Sequence, residues 1–268
     1  MSGFSAAWLA LREPADARAR VSGQPALAEL LAALGTGTGA RAVLDLGAGS
    51  GANLRHLGPL LPPGWRWTLA DLDPELLALA AASAPAPRVQ RIDLARELDS
   101  LTFPQHGLVT ASALLDLVSA SWLEALATHC RRAHAGVLFA LTYDGRVTCK
   151  PMDADDRYIV SLVNRHQLGD KGFGPALGPG AAAAAARAFA RSGYVLRRVR
   201  SDWNLGPGEP ALQAALLAGW AEAACEVDPA GSRRVRAWQE RRLRHLARGR
   251  SCLVVGHEDL YGWPVPGA

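Results

Sequence analysis

The apolar run Ala42-Val43-Leu44 leads directly into Asp45-Leu46-Gly47-Ala48-Gly49-Ser50-Gly51, and no other stretch constrains the chain as strongly. Ala42–Leu46 reads as a short buried strand, and a helical pattern follows from Asn53 to Leu61. A strand, a glycine-rich turn and a helix N-terminus in that order let a ligand approach the backbone closely, because glycine has no Cβ in the way. A second strand, Trp65–Ala70, then runs into Asp71-Leu72-Asp73. Acids roughly 20 residues beyond such a turn stand where nucleotide-binding α/β units hold a pair of ribose hydroxyls.

Gly47, Gly49 and Ala52 also satisfy the dinucleotide pattern G-x-G-x-x-G/A. Asp45 separates the two readings. A carboxylate two residues before the first glycine would repel a pyrophosphate, which argues against a nicotinamide oxidoreductase, and it suits a ligand with a cationic amino group. The strings LDLGAGSG and LADLDP resemble motifs I and II of the class I S-adenosylmethionine (SAM)-dependent methyltransferases, most specifically over residues 41 to 142.

That resemblance implies roles for particular residues. Gly47, Gly49 and Gly51, with Ala48, would line the cofactor. Asp45 would lie near its methionine end, and Asp71 would take the ribose hydroxyls beside Leu72, with Asp73 as a second acid. Asp93 would accept from the adenine amino group while Leu94 packs on the ring. Ser112 and Asp116 follow the fourth strand, where the family places its residues nearest the methyl group; Asp116 equally suits a cap for the following helix. Arg12, in WLALREP, would meet the cofactor carboxylate or else pair with Glu13 or Asp16. The set WLALREP, LDLGAGSG, SALLDLVS, KGFGPALGP and GHEDL is similar to a bacterial group of these enzymes, and this implies the reaction class without the substrate.

The rest of the chain alternates strand and helix signals, as an α/β fold requires. Helices are expected at Ala7–Arg20, from Pro74, at Ala120–Arg132 and at Ala181–Arg191. Further strands are expected at Val89–Ile92, Gly107–Ala111, Val137–Leu141, Tyr194–Arg200 and Cys252–Gly256. The expected fold is a Rossmann-like, seven-stranded, mostly parallel sheet with helices on both faces and an antiparallel seventh strand. One domain, 1–268, would comprise a helical cap (1–40), a SAM-binding half (41–142) and two substrate-side insertions, a loop-rich 143–180 and a helical 205–249.

In an open parallel sheet, ligands bind outside the carboxyl ends of the strands, so these insertions are the candidates for substrate contact. Tyr143 leaves strand five, and Arg165, His166, Lys171 and Phe173 belong to the densest polar cluster outside the glycine turn. His166 is a candidate general base or a structural histidine, and Arg165 or Lys171 would hold an anionic substrate.

Composition narrows the class. The net charge is only +4, and nearly all the cations are arginine, so a nucleic-acid partner is not indicated by charge alone. The arginines of 231–250 crowd one helix whose stripe Val235, Trp238, Leu243 and Leu246 suggests an amphipathic element with a solvated basic face; an RNA clamp is the alternative. Cys130, Cys149, Cys225 and Cys252 form no C-x-x-C pair, consistent with reduced thiols in a cytoplasm and with no metal site. No 18-residue apolar span or signal-peptide pattern is read. The sequence therefore points to SAM-dependent methyl transfer to a small molecule, yielding S-adenosylhomocysteine (SAH). An RNA methyltransferase and a non-catalytic SAM-binding protein are the alternatives, and the oligomeric state is left open.

Overall fold

The computed structural model describes residues 5–35, 41–83 and 86–265, so residues 1–4 and 36–40 of the expected cap lie outside it. Strand β1 (Ala42–Leu46) is central, and its side chains alternate between two cores. Val43 joins one apolar cluster; Leu44 and Leu46 join the other, as the two-residue period of a strand dictates. The first cluster is shared with α2 (Gln24–Leu34), α3 (Ala52–Leu57) and α4 (Pro74–Ala81); the second with α5 (Ala120–Arg132) and α7 (Ala181–Arg191). Burial on both sides explains why β1 is apolar apart from Asp45, and β4 (Leu108–Ser112) apart from Thr110 and Ser112.

Strands β2 (Arg66–Asp71), β3 (Arg88–Arg91) and β5 (Gly136–Lys150) complete the parallel part, and β6 (Tyr194–Arg200) and β8 (Cys252–Pro264) follow. The order is β3-β2-β1-β4-β5-β8-β6, with β8 antiparallel to both of its neighbours. The fold is thus the expected Rossmann-like sheet. The strand count differs: among the described residues there are eight, because β7 (Trp203–Leu205) pairs with the outer half of β8.

Residues 143–180 are less loop-rich than the sequence suggests. Strand β5 continues through Asp144-Gly145 to Lys150, with register shifts between Phe139 and Thr142 and between Tyr143 and Val147. Leu141 sits at the first irregularity with φ 55°, and its N–H donates to Asp259 Oδ1 at 2.8 Å. Bulges break the two-residue period, so pairing with a strand more than a hundred residues away overrides a local turn signal. Beyond the sheet, β5 and β8 form a ribbon with β7, packed by α6 (Asp156–Gln167), α8 (Pro210–Val227) and α9 (Ser232–Ala247).

The arginine-rich helix α9 departs most from expectation. Val235, Trp238 and Arg242 are its buried positions, whereas Leu243 is exposed. Arg242, with no exposed side-chain surface, pairs with Asp156, which also accepts from Trp238 Nε1 at 2.9 Å. Arg241 forms two bonds to Asp153, at 2.6 and 2.8 Å, and a third to Asp155; Arg234 also pairs with Asp155. Part of the basic face is therefore a clamp on the acidic start of α6. Removing one partner of a buried ion pair leaves an uncompensated charge, so Arg242→Ala should cost about 3–5 kcal/mol in denaturant unfolding, whereas Arg244→Ala, on the exposed side, should stay within about 0.5 kcal/mol.

Candidate active site

A cleft of about 750 Å³ opens at the carboxyl ends of the central strands. Its floor is the glycine turn. Gly47, Gly49 and Gly51 have φ of 64°, 52° and 84°, a region that side-chain-bearing residues rarely adopt. A Cβ on Gly49 would come 3.1 Å from Leu9 Cδ1, so this glycine lets α1 (Ala6–Ala19) close over the turn. Gly47, Gly49 and Leu9 line the cleft. Gly51 does not: it precedes α3 and backs onto Ala80, so its role is to let the chain turn into the helix.

The next wall is acidic. Asp71 accepts from Gly49 N–H at 2.7 Å on one oxygen and from Asp73 N–H at 2.9 Å on the other. Each oxygen keeps a lone pair for a further donor, and both Asp71 and Leu72 line the cleft. Asp73 lines it too, but one of its oxygens caps α4, accepting from Glu75 and Leu76 N–H at 2.9 and 3.1 Å. Asp93 and Leu94 continue the wall, with Asp93 accepting from Ala95 N–H at 3.0 Å. Trp122 Nε1 donates to Leu94 O at 2.6 Å and meets Phe173 edge-on at 5.4 Å. Phe173 and Lys171 therefore reach the cleft from the segment after α6.

Beneath the turn lies a buried polar chain. Asp45 Oδ1 accepts from Asn53 Nδ2 at 2.7 Å, and the same nitrogen contacts Thr110 Oγ1 at 3.0 Å. Thr110 donates to Leu138 O at 2.8 Å, and Arg20 Nη1 donates to Asn53 Oδ1 at 2.9 Å. Asp45 Oδ2 has no partner. Asp45 and Ala48 line a chamber of about 60 Å³ that shares Arg12, Gly47, Gly49 and Ser112 with the cleft. Burial pushes the Asp45 carboxyl up to about 7 against the opposing pull of Asn53 and Arg20. An unpaired carboxylate oxygen buried beside a small chamber fits a cationic amino group.

Arg12 lines both spaces. The expected pairing with Asp16 is present, though largely buried rather than at the surface: Nε and Nη2 bond Asp16 at 2.9 and 3.1 Å while the guanidinium lies 4.9 Å over the Trp203 ring. Ser112 lines the cleft at the end of β4, beside Ala113 with φ 52°. Asp116 lies behind that wall, buried, with one oxygen unpaired and its carboxyl pushed up by burial to about 6. It does not cap α5: Ser119 does, accepting from Trp122 N–H.

Three expected substrate-side residues are absent from the cleft lining. Tyr143 is buried and donates to Asn164 Oδ1 at 2.7 Å. His166 bonds Glu226 at 2.9 Å, and Arg165 points toward Val227 O at 3.5 Å, so both join the end of α6 to the end of α8. They sit on successive residues at a helix terminus, where the helical turn carries them to the neighbouring helix. No residue of 205–249 lines the cleft either; α8 and α9 are spent on α6 and the ribbon.

Sequence reasoning assigned no role to Asn53, Arg20 or His257. His257 lies opposite Tyr143 in the β5–β8 register, 5.0 Å from the Trp203 ring, with Nδ1 unpaired and its pKa pushed down to about 3 by burial. The eight-residue interval from Asp45 to Asn53 was the available signal for Asn53; nothing local marks Arg20. Among the described residues no cluster of metal-ligating side chains is present, and no helix is long and apolar enough to cross a membrane.

No family model and no curated protein matches this chain. Among solved structures, it is similar to phosphoethanolamine N-methyltransferase 2 of Haemonchus contortus, in complex with SAM, at 15% identity over 90% of this chain and 53% of that one (TM-score 0.44). It is also similar to a cyclopropane synthase of Mycobacterium tuberculosis, at 14% identity over 88% and 83% (TM-score 0.43). Human N-acetylserotonin methyltransferase, in complex with SAM, is similar at 14% identity over 71% and 48% (TM-score 0.40). The chain spans about half the length of the Haemonchus enzyme. Identities this low carry no function across.

The buried groups make stability pH-dependent in opposing directions. Asp45 and Asp116, raised to about 7 and about 6, contribute stability that is full at acid pH and lost as pH rises through those values. His56 and His257, lowered to about 4 and about 3, contribute stability that is full above their ordinary pKa and lost as pH falls. Asp45→Asn removes one contribution only. Relative to wild type, the variant should gain stability steadily as pH rises from about 4 to about 7, measured by denaturant unfolding across that range. A constant difference would show that Asp45 is ionised where it is buried.

Proposed function

We propose that this chain is a class I SAM-dependent methyltransferase that transfers a methyl group to a small-molecule acceptor, leaving SAH. The observation that carries this reading is the unpaired, buried oxygen of Asp45 beneath a glycine turn whose neighbouring strand ends at Asp71. SAM, when bound, supplies an electrophilic methyl on a sulfonium. The protein's own part is positioning. Asp45 receives the amino group, Asp71 the ribose hydroxyls and Asp93 the adenine amino group, with Leu94 against the ring. Arg12 lies at the amino-acid end. Asp45, Asp71, Asp73 and Asp93 together would repel a pyrophosphate, which supports this cofactor over a dinucleotide.

Holding donor and acceptor in line supplies much of the rate in such a displacement. Ser112 stands at the strand end nearest that geometry; Asp116, raised by burial to about 6, lies behind the cleft wall, so as the candidate base it would act on the acceptor through an intervening group. His166 is no longer suited to that role, because it bonds Glu226 outside the cleft. Lys171 and Phe173 are the candidate acceptor contacts from the segment after α6. The ion pairs that consume Arg234, Arg241 and Arg242 weigh against an RNA clamp on α9. The four cysteines are free, in keeping with a reducing, cytoplasmic setting.

Calorimetry tests the reading directly. SAM or SAH should bind with a Kd in the micromolar range or tighter, about −8 kcal/mol or better, and NAD far more weakly. Asp71→Ala should weaken SAH binding at least about tenfold, since a charge-assisted hydrogen bond contributes about 1.5–3 kcal/mol. Preference for NAD would overturn the assignment. Tight SAH binding without turnover on any small acceptor would favour a non-catalytic SAM-binding protein.

A further inference from the structure

The N-terminal segment and α3 face each other across a cavity of about 230 Å³. Glu13, Asp16 and Ala17 stand at i, i+3 and i+4 on α1, and Arg20 continues that stripe into the 3-10 turn Arg20–Gly23. Ala52, Asn53 and His56 stand at i, i+1 and i+4 on α3. Each set shares one side of its helix. Ala17 and Ala52, one from each helix, are small enough to leave the space between them unfilled. Ser112, at the end of β4, borders this cavity and also lines the cleft.

The charged groups on this wall are already matched. Arg55 holds Glu13 through two bonds of 2.7 Å, and Arg12 holds Asp16 at 2.9 and 3.1 Å, with Trp203 Nε1 as a further donor at 3.0 Å. Arg20 donates from Nη1 to Asn53, whose own amide nitrogen is taken by Asp45 and Thr110. The buried Nε–Nη2 edge of Arg20 offers an anion no hydrogen bond in the cavity, while its charge opposes a cation there. Two uncharged groups remain free. Among the described residues the side chains of His56 and Ser112 form no hydrogen bond or ion pair, and neither is among the half-buried or buried side chains whose unpartnered polar atoms are sealed from contact. Their polar atoms are therefore accessible. Burial and the Arg20 charge hold the His56 pKa down to about 4, so at neutral pH its ring is uncharged and presents one donor and one acceptor nitrogen, and the Ser112 hydroxyl can do both. A wall whose charges are paired and whose free groups are neutral favours an uncharged, hydrogen-bonding occupant, because a charged one would lose its hydration without gaining a partner.

We propose that this cavity receives the polar end of an uncharged small-molecule acceptor, whose hydroxyl or amide group is hydrogen-bonded by His56 and Ser112. The proposal rests on the methyltransferase reading for what the occupant is, but not for the existence of the site. It makes His56 a specificity-determining residue. Because Ser112 borders both spaces, the rest of the acceptor would extend into the cleft, where Lys171 and Phe173 are the contacts.

Ligand-observed NMR titration of the intact protein tests it, with benzamide and benzyl alcohol as neutral probes and benzoate and benzylammonium as charged counterparts of similar size. At least one neutral probe should bind saturably to wild type, and both charged counterparts at least tenfold more weakly. His56→Phe keeps a ring but removes its nitrogens, and should weaken the neutral probe at least fivefold. Ala17→Leu fills the cavity from α1 while leaving His56 in place, and should weaken it at least tenfold; this variant remains informative where the first fails to fold. The wild-type titration is then repeated with saturating SAH. The acceptor role requires the neutral probe to bind the SAH-loaded protein within threefold of its affinity for the free protein. Displacement of the probe by SAH would assign the cavity to the cofactor and overturn that role. Absence of saturable binding by either neutral probe, a charged counterpart that binds as tightly, or binding equal in wild type and Ala17→Leu would overturn the site. Failure of SAH to bind wild type at all would instead sink the methyltransferase reading, with the probe titrations still deciding the site.

Discussion

A carboxylate held between β1 and α3, away from water, governs the arrangement of this molecule. Asp45 is fully buried, and burying a charged group is costly unless it is paired or neutralised. The protein meets half of that need with Asn53 and leaves the other oxygen buried without a partner, in a residue that lines a small chamber. Asn53 must then reach both Asp45 and Thr110, which fixes α3 against β1 and β4, and its own oxygen takes Arg20. The glycine turn, the first helix after it and the N-terminal segment are thus tied through one amide side chain. A change at Asn53 would loosen all three at once.

A second set of interactions holds the outer ribbon. The acids Asp153, Asp155 and Asp156 receive Arg234, Arg241 and Arg242, and Arg146 bridges Asp144 to Asp202. These pairs fasten α9 to α6, and β5 to the segment before β7. The cleft takes only Lys171, Gly172 and Phe173 from this side of the molecule. The ribbon and its helices therefore act mainly as a frame that presents one short segment to the cleft.

The inner half was legible in the sequence because each element carries a local signal. The glycines mark a turn that only they adopt without strain, Asp73-Pro74 marks a helix start, and the buried strands are short apolar runs. Strand β1 and helices α5 and α7 fall where the sequence places them. The outer half was not legible, for physical reasons. Bulged β5 lacks a regular period, and its Asp144-Gly145 imitates a turn while lying within paired strand. The basic residues of α9 look solvated until their acidic partners, some 80 residues away, are known. Arg20 carries no local pattern at all, and His257 stands in the GHEDL string with no role attached to it; the significance of both is that buried atoms lack partners, which is a property of three-dimensional packing. The site was legible to the same degree: the glycine turn, Asp71, Asp93 and Ser112 reach the cleft, whereas His166 and Arg165 were placed there by their chemistry alone.

The central claim is that Asp45 waits, partly protonated, for a cationic amino group. Calorimetry of SAH binding at pH 7 in buffers of differing ionisation enthalpy measures the protons exchanged. With the free carboxyl at about 7, a bound ammonium should hold it ionised, so binding should release roughly half a proton, and the release should vanish in Asp45→Asn. Proton uptake, or a release of the same size in the variant, would contradict the account.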